Sequence, residues 1–517
     1  MLRTELIASV PELLRRHAEA QGEKVAYRDS RRAVTYAELN ARTARLGGHL
    51  ADIGIVPGDT VALLLPNSVT WVEGCFAINR AGALSVPIAY GSSEPEILYR
   101  LADAGCKAIV TTSEQCDLIA RLRAHASCLR SVIVVGQSAG ATSDFMYDDL
   151  VATPPKSAAP DPADLHRPAF IVYTSGTTGR AKGVLLTLHG MLWVVAATWA
   201  PIVGLSAADT VLSPLPLFHS YALNLSVLGV LATGASEHIM ERYSTKDAVD
   251  LLATGEFTVF PGVPTMFHYL LEAVQSRPEI AFPGLRLCVS AGAILPAALN
   301  RRFEDRVGVP LLDGYGITET STMVTMNWPT DARVPGSCGL PIPGLAVRIV
   351  DPASLADMPC GQEGELIVRG PNVMPGYHDK PDETAKALRN GWYHTGDLAR
   401  SDENGFLAIT GRLKELIIRG GQNIAPAEIE DVVIALDSVL DCAVVGVAHD
   451  HLGEVPVLCV VARPGTTVEL DALLEHCRAN LSAYKVPHAV HVVDEIPRTG
   501  SGKIIRYKLQ ESLSARS

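Results

Sequence analysis

The feature that most limits the folds open to this chain is an alternation of two patterns. Short, continuous apolar runs recur at TVALLLP (60–66), KAIVTT (107–112), SVIVVG (131–136), AFIVYTS (169–175), FTVFPG (257–262) and LRLCVSAG (285–292), each leaving at Gly, Pro, Ser or Thr. Between them stand segments of helical periodicity such as EPEILYRLADAG and PTMFHYLLEAVQSR. A strand buried on both faces needs an unbroken apolar run, and consecutive parallel strands need a helical crossover. The alternation therefore predicts parallel-rich α/β layers. In such sheets a ligand belongs at the loops leaving the carboxyl ends of the strands.

The texture changes after about residue 330. LAVRIV, GELIVRG and FLAITG are short strands separated by turns, which predicts a small β subdomain. Past GRLKELIIRGG the pattern is mixed again, with a helix expected from Pro426, where Glu428, Glu430 and Asp431 suit the positive end of the helix dipole. The expected division is a large N-terminal domain over 1–413, its β-rich part about 331–413, and a mobile C-terminal α+β domain over 414–517. The segment 154–164, PPKSAAPDPAD, reads as a surface linker.

Composition closes off other classes. A hydrophobic share of 48% and a charged share of 19% exclude a disordered chain, a coiled coil, collagen and a disulfide-stapled mini-protein. The net charge of −12 argues against general nucleic-acid binding. Ten cysteines without a C-x-x-C pair predict reduced thiols and a cytoplasmic setting. The N-terminus reads as an amphipathic helix and lacks a signal-peptide run. No charged residue lies between Lys182 and Asp209; with His189, Pro201 and three glycines inside, that stretch is expected to be a buried helix and not a membrane span. A mean hydropathy of +0.19 leaves peripheral membrane contact open.

The densest local signal is Tyr173-Thr174-Ser175-Gly176-Thr177-Thr178-Gly179-Arg180-Ala181-Lys182-Gly183, after a buried strand and before an apolar segment expected to be a helix. Glycines let backbone N–H groups turn toward an anion, hydroxyls add donors, and Arg180 and Lys182 add charge, so the loop suits a polyphosphate. It is not G-x-x-x-x-G-K-[ST], so an ordinary P-loop ATPase is not implied.

This loop resembles the phosphate loop of the acyl-adenylate-forming superfamily of acyl-CoA synthetases, adenylation domains and beetle luciferases. Further segments match in the family's order: PLFHSYA (216–222), GYGITET (314–320), GELIVRG (364–370), WYHTGD (392–397), GRLKELIIRGGQNIAPAEIE (411–430) and PRTGSGK (497–503). Seven collinear matches across nearly the whole chain are very specific. The resemblance implies ATP, Mg²⁺ and coenzyme A as co-substrates and cofactor.

It also implies roles for particular residues. Lys503 would be the catalytic lysine that bridges carboxylate and α-phosphate, with His219 near the acyl carboxylate. Glu319 and Thr174 would meet Mg²⁺. The nucleotide site would take in Thr174, Ser175, Gly176, Thr177, Thr178, Gly179 and Lys182, the turn Ala291, Gly292, Ala293, and Asp313, Gly314, Tyr315, Gly316 and Thr318. Tyr315 would stack on adenine, Asp397 would accept from the ribose hydroxyls, and Arg412 would lie near ribose and phosphate. Lys414 would be the hinge, and Arg419, Gly420 and Gly421 would line the thiol tunnel. Luciferases carry an additional lysine where this chain has Ile418, which argues against light emission.

The segment PLFHSYALN has no acidic residue to hold an α-ammonium, so an amino acid substrate is disfavoured. Phe218, Tyr221, Met266, Tyr269 and Met323 are apolar candidates for an acyl pocket, equally explained as core, and they favour an aryl, cinnamyl or fatty acyl acid. Two partners beyond the small molecules stay open: an acyl carrier protein in place of coenzyme A, and a second copy of the chain. A hydrolase reading rests on Gly136-Gln137-Ser138-Ala139-Gly140, but the amphipathic helix and H-G-G-G segment such an elbow needs are missing. A non-catalytic relative would be expected to have lost Lys503, Glu319 or Asp397, and all three are present.

Overall fold

Each apolar run named above contains a strand: Thr60–Leu64, Ala108–Thr112, Ser131–Val135, Pro168–Thr174, Val259–Gly262 and Leu287–Ser290. The computed structural model describes residues 2–136, 143–174, 181–330, 333–420, 422–449, 451–498 and 504–514. Among these residues the strands form four sheets. The first runs Leu311–Tyr315, Leu287–Ser290, Val259–Gly262, Thr210–Ser213 and Ser236–Ile239 side by side and parallel. The second has Leu84–Pro87, Thr60–Leu64, Ala108–Thr112 and Ser131–Val135 in parallel, flanked by the antiparallel pair Pro168–Thr174 and Lys182–Thr187. A third, antiparallel sheet includes Ala346–Val350, Gly364–Arg369, Trp392–Ser401 and Leu407–Arg412. The fourth is built from strands between Ile417 and Val492.

Strand periodicity sorts the core. Val61 and Leu63 enter one large cluster shared by the first two sheets, with Trp71, Phe76 and Trp199 fully buried in it. Ala62 and Leu64 point the other way, into a second cluster. The C-terminal sheet has its own clusters, one around Ile424, Ile429 and Leu458, the other around Val445, Val457 and Leu509.

Two expectations need correction. The segment after the hydroxyl-rich loop is a strand, Lys182–Thr187, and not the start of a helix. Its backbone pairs with Pro168–Thr174, which the apolar composition alone could not show. The buried helix begins only at Leu188 and continues with a wider, π-type turn over Val195–Trp199. Among the described residues no helix is long and apolar enough to cross a membrane. At the N-terminus the helix spans Val10–Gln21, with Pro11 in its first turn. The Pro-rich linker is pinned: Arg80 donates two hydrogen bonds to Asp161, each 2.9 Å. All ten cysteines are free thiols.

One buried acid has no such support. Glu237 stands between register partners Tyr27 and Val211 and is 1% exposed. Among the described residues neither carboxyl oxygen has a partner of good geometry, and the Ser226 hydroxyl beside it is shared with Ser213 at 2.9 Å. Burial pushes this carboxyl well above the usual carboxylate range. The folded chain therefore keeps a proton that the unfolded chain releases above about pH 4.3. Stability is complete below that pH and falls by up to about 1.4 kcal/mol per pH unit as pH rises toward the folded value. Glu237→Gln, neutral at every pH, is expected to raise the denaturation midpoint more at pH 8 than at pH 5. An equal effect at both would show that the acid is not held neutral.

Candidate active site

Three sheets end at one place. Leu311–Tyr315 comes from the first, Lys182–Thr187 and Gly376–Tyr377 close an edge of the second, and Trp392–Ser401 pairs with Leu407–Arg412 in the third. Their side chains make a connected polar cluster. Asp397 and Arg412 are opposite partners on antiparallel strands, with Arg412 Nε 2.7 Å from the carboxylate. The Tyr315 hydroxyl donates to the other Asp397 oxygen at 2.5 Å. Asp397 is only 2% exposed, so two donors hold a carboxylate that water barely reaches. The Asp397 charge holds the Arg412 guanidinium above its ordinary value, despite burial. Burial, followed by that same charge, pushes the Tyr315 phenol well up.

Glu319 lies beside this group. It accepts from the Tyr377 hydroxyl at 3.0 Å, and its backbone carbonyl accepts from Met374 N–H at 2.8 Å. Lys182 lies 5.1 Å above the Tyr377 ring and pairs with Glu383. Lys182, then Lys386, bring the Glu383 carboxyl down to about 2. Thr174 is the register partner of Lys182 at the end of the strand pair where the two are connected. Tyr377, Tyr393 and Glu383 were not singled out from sequence. Tyr393 shares a hydrogen bond with Tyr377 and feels the Glu319 charge; its place inside WYHTGD was the one available signal.

The turn that presents Glu319 is tightly specified. A Cβ on Gly316 would stand 1.3 Å from the Thr322 carbonyl oxygen, and one on Gly314 would stand 2.4 Å from Met323 Cε. Ser321 and Thr322 have φ of 53° and 110°, costly for residues with a Cβ. Thr322 is held there by donating to the Ser220 carbonyl at 2.8 Å, while Thr318 and Ser220 share a hydrogen bond of 3.1 Å. Burial keeps the Asp313 carboxyl well above its usual range. Gly292 takes φ +89° just past Leu287–Ser290, with Ala291 buried and Ala293 exposed.

The acyl candidates fall into different settings. His219 and Phe218 are half-buried, and His219 Nδ1 accepts from Tyr221 N–H at 3.3 Å. Tyr221 stacks on Trp199 and donates to the Val289 carbonyl at 3.1 Å. Met266 is half-buried against the main core. Met323 is 0% exposed and presents no surface to a cavity here. Tyr269 is 42% exposed and faces Asp441 and Arg498 of the C-terminal region, away from Met266's setting in the core.

Arg419 and Gly420 are engaged within the C-terminal region. Arg419 donates to the Tyr484 carbonyl at 2.7 Å, and Gly420 N–H to the Leu452 carbonyl at 2.7 Å. Arg419 also borders a cavity of about 380 Å³ with Arg478 and His488 on its rim and Leu481, Val486 and Pro487 in its lining. Lys414 is exposed between two fastened neighbours. Arg412 is tied to Asp397, and Glu415 to Arg506 at 2.9 Å, with Arg506 also on Glu430 at 2.5 Å. Ser175, Gly176, Thr177, Thr178, Gly179, Gly421, Lys503 and the elbow residue Ser138 lie outside the described residues.

Among the described residues no group of three or more His, Cys, Asp or Glu is placed to hold a metal ion alone. A single carboxylate, Glu319, with the Thr174 hydroxyl is nonetheless a donor set of the kind Mg²⁺ takes when phosphate oxygens and water complete its shell. The residues fit the ion on those terms.

Residues 14–378 match the model of the AMP-binding enzyme family, and residues 428–503 match that of the AMP-binding enzyme C-terminal domain. A feruloyl-CoA synthase of an Amycolatopsis species is 36% identical over 495 residues, covering 95% of this chain and 96% of the relative. The structure of the anthranilate CoA ligase AuaEII in complex with anthranoyl-AMP superposes with a TM-score of 0.91 at 27% identity, covering 98% of each chain. MatB from Rhodopseudomonas palustris, 31% identical over 97% of this chain and 98% of its own, gives 0.88 in its ATP-bound structure and 0.78 in its apo structure.

Proposed function

Because this chain belongs to the AMP-binding enzyme family, we propose that it is an ATP-dependent acid–CoA ligase that activates an apolar monocarboxylic acid, foremost an aromatic one, as its acyl-adenylate. The observation that carries this reading is the buried Tyr315–Asp397–Arg412 group standing beside Glu319 and Lys182, where three sheets meet. The feruloyl and anthranilate relatives support an aromatic acid. The absence of any acidic residue in PLFHSYALN disfavours an α-amino acid.

In the first half-reaction the acid's carboxylate oxygen bonds to the α-phosphorus of ATP and pyrophosphate leaves. Two anions approach each other, so the chain must supply cations and donors. Lys182 and Arg412 face the phosphates and Lys503 bridges the carboxylate and the α-phosphate. Asp397 accepts from the vicinal ribose hydroxyls, and Tyr315 offers its ring to the adenine. Glu319 and Thr174 would hold Mg²⁺, which would supply charge neutralisation at the phosphates. His219 orients the carboxylate. In the second half-reaction the thiol sulfur bonds to the acyl carbon and AMP leaves with the electron pair. Acid-dependent pyrophosphate release with MgATP that accelerates on adding CoA is the expected result. Release that ignores CoA would replace the thiol acceptor with a carrier-protein phosphopantetheine, and no release with any aromatic or fatty acid would sink the ligase.

The cavity at Arg419 suits the nucleotide end of CoA. Its guanidiniums and imidazole match phosphate charge, and its apolar lining matches a purine face. Arg478→Glu is expected to raise the KM for CoA about tenfold or more while leaving dephospho-CoA, which lacks the 3′-phosphate, nearly unchanged. Equal effects on both would remove the cavity from the CoA site. The same variant should not alter acyl-adenylate formation.

A further inference from the structure

The C-terminal region touches the large domain away from the site, on the helix Pro264–Gln275. There Arg463 Nη1 pairs with Glu272. The rest of the Arg463 guanidinium is already fastened inside its own region. Nε donates to the Asp437 carbonyl at 2.8 Å, and Nη2 to the Val439 carbonyl at 3.4 Å. The cation is thus presented in a fixed direction, with little rotamer freedom left to lose on pairing. The two side chains are 26% and 33% exposed, so water screens the pair only in part. No bond of this pair reaches a residue assigned above to substrate or nucleotide.

The arrangement in which the pair forms has a counterpart. One relative, at the same identity and coverage, superposes at 0.88 when ATP-bound and at 0.78 when apo, so the shape of this chain is closer to the one that relative shows with ATP. We infer that Arg463 and Glu272 form an interdomain latch that favours the arrangement of the C-terminal region serving acyl-adenylate formation. Both are positioning residues. The inference rests on the two-step ligase reading for its kinetic consequences, although the contact itself does not. A latch biases an equilibrium only by the difference it makes between two states, so its loss must weaken one half-reaction relative to the other.

The test is a charge-swap cycle: Glu272→Arg, Arg463→Glu, and both together, with Glu272→Gln as a milder single variant in case a reversal fails to fold. Acid-dependent ATP–pyrophosphate exchange reports the first step, and CoA thioester formation from supplied acyl-AMP reports the second. Each single variant is expected to lose about three- to tenfold in exchange, mainly through a higher apparent KM for ATP, with the second step unchanged or faster. The double variant should recover most of the loss. Equal losses in both steps, or no recovery in the double, overturn the latch. A substrate-free readout separates this from the ligase reading. Fluorescent labels at exposed Cys360 and at an introduced cysteine, Asp471→Cys, should report one distance for wild type and double variant and another for the singles. If wild type shows no exchange at all, the ligase reading falls, and an unshifted distance in the singles would then overturn the latch independently.

Discussion

Replacing Lys503 with alanine is expected to slow acyl-adenylate formation by about 10²–10³-fold, the scale for removing one preorganised donor to developing transition-state charge. Thioester formation from supplied acyl-AMP should change far less, because the α-phosphate has by then been bonded and no second anion approaches it. The reason for expecting a large effect is electrostatic. The described part of the site already commits Lys182 to Glu383 and Arg412 to Asp397. On the proposed reading, Lys503 is then the charge that carboxylate and phosphate would share. Single-turnover measurement of each half-reaction decides the matter. Equal losses in both would mean that the lysine supports the fold or serves both steps.

The second large effect concerns stability. Glu73, in the helix Val69–Arg80, is fully buried and receives Arg32 and Arg42 on its carboxylate, with Arg32 at 2.5 and 3.0 Å and Arg42 at 2.7 and 3.3 Å. The Tyr147 hydroxyl donates to it at 2.5 Å. Burial opposes the charge, but the two guanidiniums win and hold the carboxyl below its ordinary range. Glu73→Ala strands two half-buried guanidiniums and is expected to cost about 3–5 kcal/mol, a fall in thermal midpoint on the order of 10 °C for one cooperative unit. Glu73→Gln, which keeps the shape and can accept from Tyr147, should cost less. The contribution is present at neutral pH and is lost as pH falls through the folded value, because that value is depressed. A thermal midpoint within 2 °C of wild type for Glu73→Ala, a tolerance set well inside that expected shift, would mean the network adds nothing net.

The Glu73 network was not visible in the sequence. Arg32, Arg42, Glu73 and Tyr147 are each unremarkable in their local patterns, and only the packing of helices over two sheets brings them together. Glu237 was hidden differently. Read in SEHI it alternates as a surface position would, yet its strand is buried on that face between Tyr27 and Val211. The strands themselves were legible because unbroken apolar runs with Gly or Pro exits have few other solutions. The strand Lys182–Thr187 was not, because its apolar run continues into the next helix without punctuation. In the site, Asp397, Arg412, Tyr315 and Glu319 were legible as blocks of motif, and the structure brings them together. Tyr377 and Glu383 sit outside any motif, and their part in holding Glu319 and Lys182 is a matter of tertiary distance alone.

The fastening on either side of Lys414 has a mechanical consequence. Arg412 is anchored to one body and Glu415 to the other, so only the soft backbone torsions from ψ of Arg412 to φ of Glu415 separate them. On the two-step ligase reading, a joint that short would act as a swivel and not a tether. It would fix the radius at which one body travels around the other and keep them from drifting apart. A search through a volume would then become a search along an arc.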